Sequence, residues 1–559
     1  MYTVTLAGYL MPKREILLAI TGHLPEHKIA LMNLQQSILT YLCLYGCAAL
    51  MLGLLNRRKR ESSQHYLHTS RDLPFWIVSI SFLAANCSAL EVLMMVAIAA
   101  KYGVYAAQFY WIGAVPALAF LLCILLPIYA RTGIRSIPEF LELRFGRGAR
   151  LLSAGCFCLT MIAVAGITIC VFSRLTNLAL GWSYGMGIWS LALLAGVFLL
   201  TGGLSAVLYG EAVQLILFLL VLLPLTTRML TRYHGIRGLI AGLPSSSQHT
   251  FGGLPWFAPH ASADIFGTVV GLGFVLSFSY WCADFLLIQR VLAARNSRAM
   301  AQTPMLAITA KLVLPLLLVT PGLAAARIYG ASLSASYDLA LPRMLIDLYP
   351  TKLLAVSLAA IFASLFIGMC GNLAASVSIF NYDLYQSFLR PGASDQHYLR
   401  VSRLTAVVVS FASVGAAYLA FTSNSLMEYV QLVLSSLYTP LATTLLLGIF
   451  VPSLARRSGL PAMLSGTIFG AVHSALALIG YLHYGSGLAT SFYTAILSAG
   501  TTTLVMFAIS LSSQWQTAST RQISKGLSNS EQDAVRDPMI WGLSAGCCIA
   551  VCILYVLFF

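Results

Sequence analysis

Residues 73–99 read LPFWIVSISFLAANCSALEVLMMVAIA. The run is apolar, and it is longer than the roughly 20 residues that a helix needs to cross a bilayer. The stretch from Leu83 to Ala89 interrupts it with small and polar residues, and Glu91 follows in the same run. A helix that unwinds there exposes backbone carbonyls, which can bind a cation or a hydroxyl group at mid-membrane. Close packing against a neighbouring helix is the alternative, because small residues also line helix–helix interfaces.

The whole chain has the composition of a polytopic membrane protein. Its 559 residues are 59% hydrophobic and 9% charged, with a mean hydropathy of +0.83, whereas soluble domains carry about 25% charged residues. Hydropathy predicts an all-α protein with about fourteen membrane-spanning helices. This composition excludes a soluble enzyme, a secreted disulfide scaffold and a disordered regulator. The twelve cysteines lie in apolar stretches without C-x-x-C spacing, which is typical of small buried side chains rather than metal ligands.

The distribution of Lys and Arg predicts how the chain is oriented. With this number of spans, 21 of the 33 basic residues fall in loops on one side, which the positive-inside rule assigns to the cytoplasm. Both termini then lie outside, and we expect a multi-pass protein of the plasma (inner) membrane. The net charge of +15 therefore reflects cytoplasmic loops and not a nucleic-acid partner.

Four ionisable side chains fall at membrane depth: Glu91, Glu211, Asp284 and Lys311. Burying a charge in a bilayer costs several kcal/mol, so such groups are candidates for function, although ion pairs that only hold helices together are the alternative. Glu91 and Lys311 lie near the middle of their spans, and we expect them within salt-bridge reach because two unpaired charges there are too costly. Glu211 lies near a cytoplasmic end, where we expect it to pair with Arg290 in a partly hydrated vestibule and to help close the inward path.

Two segments fall outside the predicted membrane region. The N-terminal tail, residues 1–32, has neither the apolar core nor the cleavage site of a signal peptide, and Met32 is an alternative to Met1 as the start of translation. Residues 513–537 form a polar linker, which we predict to be cytoplasmic and too short for a catalytic domain.

Several longer motifs occur in a fixed order along the chain. The most specific is SYWCADFLLIQRVLAARN at 279–296, which is followed by AKLVLPLLLVTPG at 310–322. The others are SFLAANCSALE at 81–91, TGIRSIPEFLELRFG at 132–146, LTGGLSAVLYGEAVQ at 200–214, SIFNYDLYQSF at 378–388 and YVQLVLSSLYTPLATTLLLGIF at 429–450. Together they resemble the sodium:solute symporter family, and most closely its sugar-transporting branch.

The resemblance implies the leucine-transporter architecture. In that fold two inverted five-helix repeats bind substrate and cations where the first helix of each repeat is broken. The repeats would be residues 73–229 and 263–452. A first helix at 33–55, the helices within 459–512 and a last helix at 539–558 would be peripheral.

The resemblance also implies a set of substrate-binding side chains. The lysine and the late glutamine of the sugar branch fall on Lys311 and Gln431, and its inner-gate tyrosine falls on Tyr280, beside Trp281.

At three further positions this chain departs from the sugar branch. Ser277 stands in place of an asparagine and Glu91 in place of a glutamine, and the sugar-binding glutamate of the next helix falls near Tyr110 or Trp111. We therefore expect a polar, partly charged pocket, and these replacements argue against simple hexose transport.

For sodium, the resemblance implies a site built from backbone carbonyls and two serine hydroxyls. The carbonyls fall on Ala84, Cys87 and a position near Ser364, but the hydroxyl positions are Ile367 and Gly368, which offer no side-chain oxygen. Because hard cations prefer several oxygen ligands, we expect sodium to bind weakly here or not at all.

Three couplings remain open. Protons can be carried by Glu91 or Glu211, of which we prefer Glu211 because Lys311 lies near Glu91. Transport can instead be uncoupled, or sodium can bind elsewhere with Glu211 as a ligand.

These features predict a secondary active transporter, and not an enzyme, that moves a small polar organic solute by alternating access. A sugar or a polyol is the expected solute, and no cofactor is expected beyond Na⁺ or H⁺. The expected partners are the solute and the lipid bilayer, with no prediction of the oligomeric state. A sodium-independent transporter of the same fold is the alternative. A membrane sensor is less favoured, because no signalling domain follows the last predicted helix.

Overall fold

The computed structural model describes residues 35–41, 43–44, 46, 51, 75–132, 134, 136–292, 297–333, 337–421, 425–512 and 538–558. Residues 1–32, much of the predicted span 33–55 and the linker 513–537 lie outside this part of the chain.

The described chain is almost entirely helical and contains no β-strand. In a bilayer every backbone N–H and C=O must be paired within the protein, which a helix achieves within one segment. The helices are α1 (Phe75–Ala85), α2 (Ala89–Tyr102), α3 (Trp111–Phe120), α4 (Leu126–Thr132), α5 (Ile137–Phe145), α6 (Arg147–Leu180), α7 (Tyr184–Arg232), α8 (Ile236–Ala241), α9 (Ser277–Ala283), α10 (Phe285–Leu292), α11 (Ser297–Tyr329), α12 (Ala340–Leu348), α13 (Thr351–Ile379), α14 (Asp395–Ala420), α15 (Leu426–Phe450), α16 (Gly459–Leu478), α17 (Gly487–Ser512) and α18 (Pro538–Phe558). Shorter 3₁₀ and π segments join several of them, among them Gly103–Phe109, Gly267–Leu276 and Phe380–Leu389.

Within the described residues, nine helical segments are long and apolar enough to cross a membrane, and three shorter apolar helices accompany them. One helical run, α7, covers 49 residues and includes two of the predicted spans. The prediction of a polytopic helical membrane protein is thus confirmed, while the count of about fourteen spans stays a prediction.

The predicted break in the first core helix is present. Helix α1 ends at Ala85, and α2 begins at Ala89 after Ser88, whose φ of −71° and ψ of 163° are extended. Between them the backbone makes short turns, with the N–H of Asn86 bonded to the carbonyl of Leu83 and that of Cys87 to the carbonyl of Ala84. The carbonyls of Leu83 and Ala84 therefore accept from N–H groups three residues further on, in a tighter turn than that of an α-helix.

A second break lies in the corresponding helix of the second predicted repeat. The π-helical segment Gly267–Leu276 continues into α9, and Asp284 then adopts an extended conformation, with φ −70° and ψ 119°, before α10 begins. The Asp284 carboxylate accepts a hydrogen bond from the N–H of Leu287 at 3.1 Å and so caps α10. Two interrupted helices are the feature that the leucine-transporter architecture requires.

The helices form two groups around these breaks. Helix α11 packs along α1, α2 and α3, and α9 also packs on α3. In the second group α13 packs on α6 and α7, and α14 packs on α6. Helix α7 contacts α1, so the first broken helix lies between the two groups.

Candidate functional site

A cavity lies between the two broken helices. It contains about 1350 Å³ of space, its open mouth included, and α11, α13 and α15 contribute to its walls. All of the side chains predicted to bind substrate line it, namely Glu91, Ser277, Tyr280, Trp281, Lys311 and Gln431. Their convergence brings together residues that are up to 340 positions apart in the sequence.

Lys311 and Glu91 form an ion pair inside this cavity. The Nζ atom of Lys311 lies 2.8 Å from Oε1 of Glu91, so the predicted proximity of the two side chains is confirmed. The same Nζ donates to the backbone carbonyl of Asn86 at 3.2 Å, which places the lysine against the turn that breaks the first core helix.

Aromatic rings complete the environment of Lys311. Its Nζ lies 4.8 Å from the ring centre of Tyr110 and 5.3 Å from that of Trp281, distances at which a cation is attracted by the ring. The residue is 1% exposed. The ammonium group is therefore already surrounded by partners from the protein.

Glu91 is engaged on one side only. Its Oε1 accepts hydrogen bonds from Lys311 and from the hydroxyl of Tyr110 at 3.1 Å. Its Oε2 has no hydrogen bond from the described residues, and the side chain is 24% exposed. This second carboxylate oxygen is open to the cavity.

Three of the other predicted residues bond to the protein, and the fourth does not. The hydroxyl of Tyr280 donates to Oδ1 of Asn86 at 3.0 Å, Nε1 of Trp281 donates to the carbonyl of Gly113 at 3.0 Å, and the hydroxyl of Ser277 donates back into its own helix at 2.6 Å. Gln431 is 9% exposed, lines the cavity and makes no hydrogen bond with the described part of the chain. Its amide is thus available to a ligand.

Glu211 and Arg290 form a second ion pair. Oε1 of Glu211 lies 2.5 Å from Nη2 of Arg290, and Oε2 accepts from Nε at 3.3 Å and from the hydroxyl of Ser81 at 2.7 Å. The predicted pairing is confirmed. The predicted hydrated vestibule is wrong, because Glu211 and Arg290 are only 2% and 4% exposed. A glycine at 371 lets α13 approach, since a Cβ there would lie 3.0 Å from Oε1 of Glu211.

The sequence profile of the sodium:solute symporter family matches residues 66–466. This chain belongs to the sodium:solute symporter family. It is similar to the rat sodium/glucose cotransporter 2, with 26% identity over 83% of this chain and 74% of the relative. It is also similar to the Vibrio parahaemolyticus sodium/glucose cotransporter, with 28% identity over 70% and 76% of the two chains, and to the human sodium/myo-inositol cotransporter 2, with 26% identity over 80% and 71%.

A solved structure of a Na⁺-coupled sialic acid symporter has the same fold. It superposes with a TM-score of 0.71 over 85% of this symporter and 98% of the other chain, at 18% sequence identity. Family and fold agree that this protein is a membrane transporter and not an enzyme.

At the positions that correspond to the family's sodium site, two oxygens of this symporter accept hydrogen bonds from the protein. The carbonyl of Ala84 accepts from Nε2 of Gln214 at 3.4 Å, and the hydroxyl of Ser364 accepts from the N–H of Ala89 at 2.8 Å. Each of these two oxygens thus accepts a hydrogen bond from an amide group of the protein, whereas a cation needs oxygens with free lone pairs.

The two replaced hydroxyl positions bring no compensating oxygen. Ile367 is fully buried and packs on α7, where a Cβ at Gly210 would lie 2.6 Å from its Cδ1 atom. Gly368 lines the cavity without a side chain. The weak sodium site expected from the sequence stays a prediction.

Two more ion pairs join loop-proximal helix ends of the symporter. Nζ of Lys101, at the end of α2, lies 2.6 Å from Oε1 of Glu428 at the start of α15. Arg174 lies 3.0 Å from Asp338. Burial raises the pKa of the Asp338 carboxyl, and the nearby Arg174 opposes this shift.

Asn86, Gln214 and Ser81 were not predicted as site residues. Asn86 belongs to the interrupted stretch that marks the first break, so the signal for it was present in the sequence. Ser81 lies ahead of that stretch, within α1, at the start of the motif at 81–91. Gln214 ends the motif at 200–214, but nothing local to it indicates that its amide reaches the carbonyl of Ala84.

Proposed function

We propose that this symporter imports a small polyhydroxylated organic solute, such as a sugar or a polyol, across the plasma membrane by alternating access. The observation that carries the proposal is the convergence of Glu91, Tyr280, Lys311 and Gln431 on one cavity between two broken helices. The names of relatives, which are glucose and myo-inositol cotransporters, support this class of solute. Substrate at a break between two packed groups of helices can be exposed to either side as the groups rock.

The roles follow from the geometry. The amide of Gln431 offers the solute both a hydrogen-bond donor and an acceptor, and Oε2 of Glu91 offers an acceptor. The rings of Tyr280 and Trp281 offer apolar faces. Tyr280 is bonded to Asn86 across the break, so a movement of α9 that opens the inner side must break this contact. The pair Glu211–Arg290 links α7 to α10 and must be rearranged in the same movement.

We further propose that transport does not depend on sodium at the family's usual site. Two hydroxyl ligands are missing, and the carbonyl oxygen of Ala84 and the hydroxyl oxygen of Ser364 each accept a hydrogen bond from an N–H group of the protein. Both oxygens of Glu211 already accept hydrogen bonds from Arg290 and Ser81. If a proton drives transport, Glu91 is the better carrier, in contrast to the expectation from the sequence, because its Oε2 is open to the cavity.

Uptake into proteoliposomes tests both proposals. A panel of labelled sugars and polyols is offered with a sodium gradient and a pH gradient applied separately. We expect uptake of at least one hydroxylated solute, with a rate that persists when sodium is replaced by choline at fixed pH. A collapse of the rate in choline would refute sodium independence while leaving the solute class intact. Absence of uptake of every hydroxylated solute, under either gradient, would refute the solute class.

A further inference from the structure

The charged groups of the cavity do not balance. Its lining includes three carboxylates, Glu91, Glu211 and Asp284, but one ammonium group, Lys311. Arg290 supplies the second positive charge through its ion pair with Glu211. With all of these groups ionised, three carboxylates face two cations, and the described site carries a net charge of −1.

Both cations are already occupied. Lys311 bonds to Glu91 and to the carbonyl of Asn86 and lies against two aromatic rings. Arg290 bonds to both oxygens of Glu211. An anionic solute would therefore meet an excess of carboxylate and, among the described lining residues, no cation free to receive it. Burying a charge without a partner is costly.

The groups that remain available suit a hydrogen-bond donor. Oε2 of Glu91 is a charged acceptor without a described partner, on a side chain that is 24% exposed. Gln431 presents its amide to the same cavity, is only 9% exposed and also lacks a described partner. Hydrogen bonds from an ammonium group to a carboxylate are shorter and roughly twice as strong as those between neutral groups.

We propose that the solute is a hydroxylated amine, such as an amino sugar or an amino polyol, whose ammonium group binds Oε2 of Glu91. Its positive charge offsets the excess carboxylate of the cavity, and its hydroxyl groups bond to Gln431. This inference rests on the proposed function, which names only a polyhydroxylated solute. The geometry makes Glu91 the residue that selects the charge of the solute.

Binding to the purified full-length protein at pH 6.5 tests this selection with four probes of one ring size: glucosamine, glucose, N-acetylglucosamine and glucuronate. Glucosamine should bind at least about tenfold more tightly than glucose, a difference of about 1.4 kcal/mol. N-acetylglucosamine should bind about as weakly as glucose, because its nitrogen is uncharged. Glucuronate, which is an anion, should bind most weakly of the four.

The variant Glu91→Gln identifies the residue responsible. Glutamine keeps an oxygen that can accept from Lys311 and Tyr110 but removes the charge, so the preference for glucosamine over glucose should fall to about twofold or less. The surface variant Asp395→Asn, which also removes one negative charge but at an exposed residue, should keep the full preference. If Glu91→Gln does not fold, the double variant Glu91→Gln/Lys311→Met, which leaves no unpaired cation, takes its place.

The outcomes separate the two proposals. Equal binding of glucosamine and glucose, or tighter binding of glucuronate, would overturn the charge selection while a hydroxylated solute remained the substrate. A preference for glucosamine that survives in the Glu91 variant would also overturn it. If none of the probes binds and no hydroxylated solute is taken up, the proposed function itself fails.

Discussion

The ion pair between Glu211 and Arg290 predicts a large effect of a small substitution. The change Glu211→Gln keeps the shape of the side chain and removes its charge. Arg290 is 4% exposed and cannot turn to water, and Ser81 loses a charged acceptor at 2.7 Å. Removing one partner of a buried ion pair costs about 3–5 kcal/mol, because the other charge stays buried without compensation. We expect the lower part of this range, because the glutamine oxygen still accepts one hydrogen bond.

A more accessible ion pair provides the control. Lys101 and Glu428 are separated by 2.6 Å, but their side chains are 31% and 17% exposed. Because solvent screens this pair more than the buried one, Glu428→Gln should cost less than Glu211→Gln, although Glu428 also accepts a hydrogen bond from the hydroxyl of Tyr102. The double variant Glu211→Gln/Arg290→Met should recover most of the stability lost in Glu211→Gln, because no charge is left unpaired.

The assay is the apparent melting midpoint of the purified protein in detergent, followed in parallel with uptake into proteoliposomes. Glu211→Gln should lower the midpoint clearly more than Glu428→Gln and should also change the rate of uptake, because the pair links α7 to α10. If the two single variants shift the midpoint equally, the buried pair is not the constraint that the geometry indicates. An unchanged uptake rate would remove its role in transport.

Three other changes test separate features of the fold and site. Restoring the family hydroxyls with Ile367→Ser and Gly368→Ser should make uptake respond to sodium. The second change is tolerable, because a Cβ at 368 meets only ordinary contact at 3.6 Å. If the double variant is as insensitive to choline replacement as the parent, other features exclude the ion. Gln431→Leu should raise the KM about tenfold, since a hydrogen bond to the solute contributes about 0.5–1.5 kcal/mol. The melting midpoint should not change, because this amide has no described partner in the protein to lose. An unchanged KM would exclude Gln431 from the site. Gly322→Ala should lower the melting midpoint, because its Cβ would lie 2.5 Å from a backbone oxygen of α2. The control Gly500→Ala should leave the midpoint unchanged, because a Cβ there has no neighbour within 4 Å. Equal midpoints would mean that α11 can move away from α2.

The break in the first core helix and the residues around it could be predicted because their signals are local. Small and polar residues between Ala84 and Ser88 weaken a helix that otherwise reads as a membrane span. The resemblance to the family placed Lys311 and Glu91 in one pocket, and the cost of two isolated charges at that depth predicted that they pair. The structure places them 2.8 Å apart.

The burial of the second ion pair could not be predicted in the same way. Position along a span indicated that Glu211 lies near the membrane surface, but α7 continues as a helix on both sides of it. Arg290, Ser81 and the glycine at 371 come from three other helices and close around its carboxylate. Whether water reaches a side chain depends on these neighbours and not on its own span.

Hydropathy and the order of motifs were sufficient for the membrane class and the family, because both are properties of the chain read in one dimension. The resemblance to the family then supplied the set of cavity residues. The partners of individual atoms depend on packing between helices. The amide of Gln214 bonds to the carbonyl of Ala84, 130 residues away, and Oε1 of Glu91 is occupied while Oε2 is open. A side chain's identity determines which bonds it can make, but only the positions of the helices around it determine which of them are made, and thus which atoms remain for a solute or an ion.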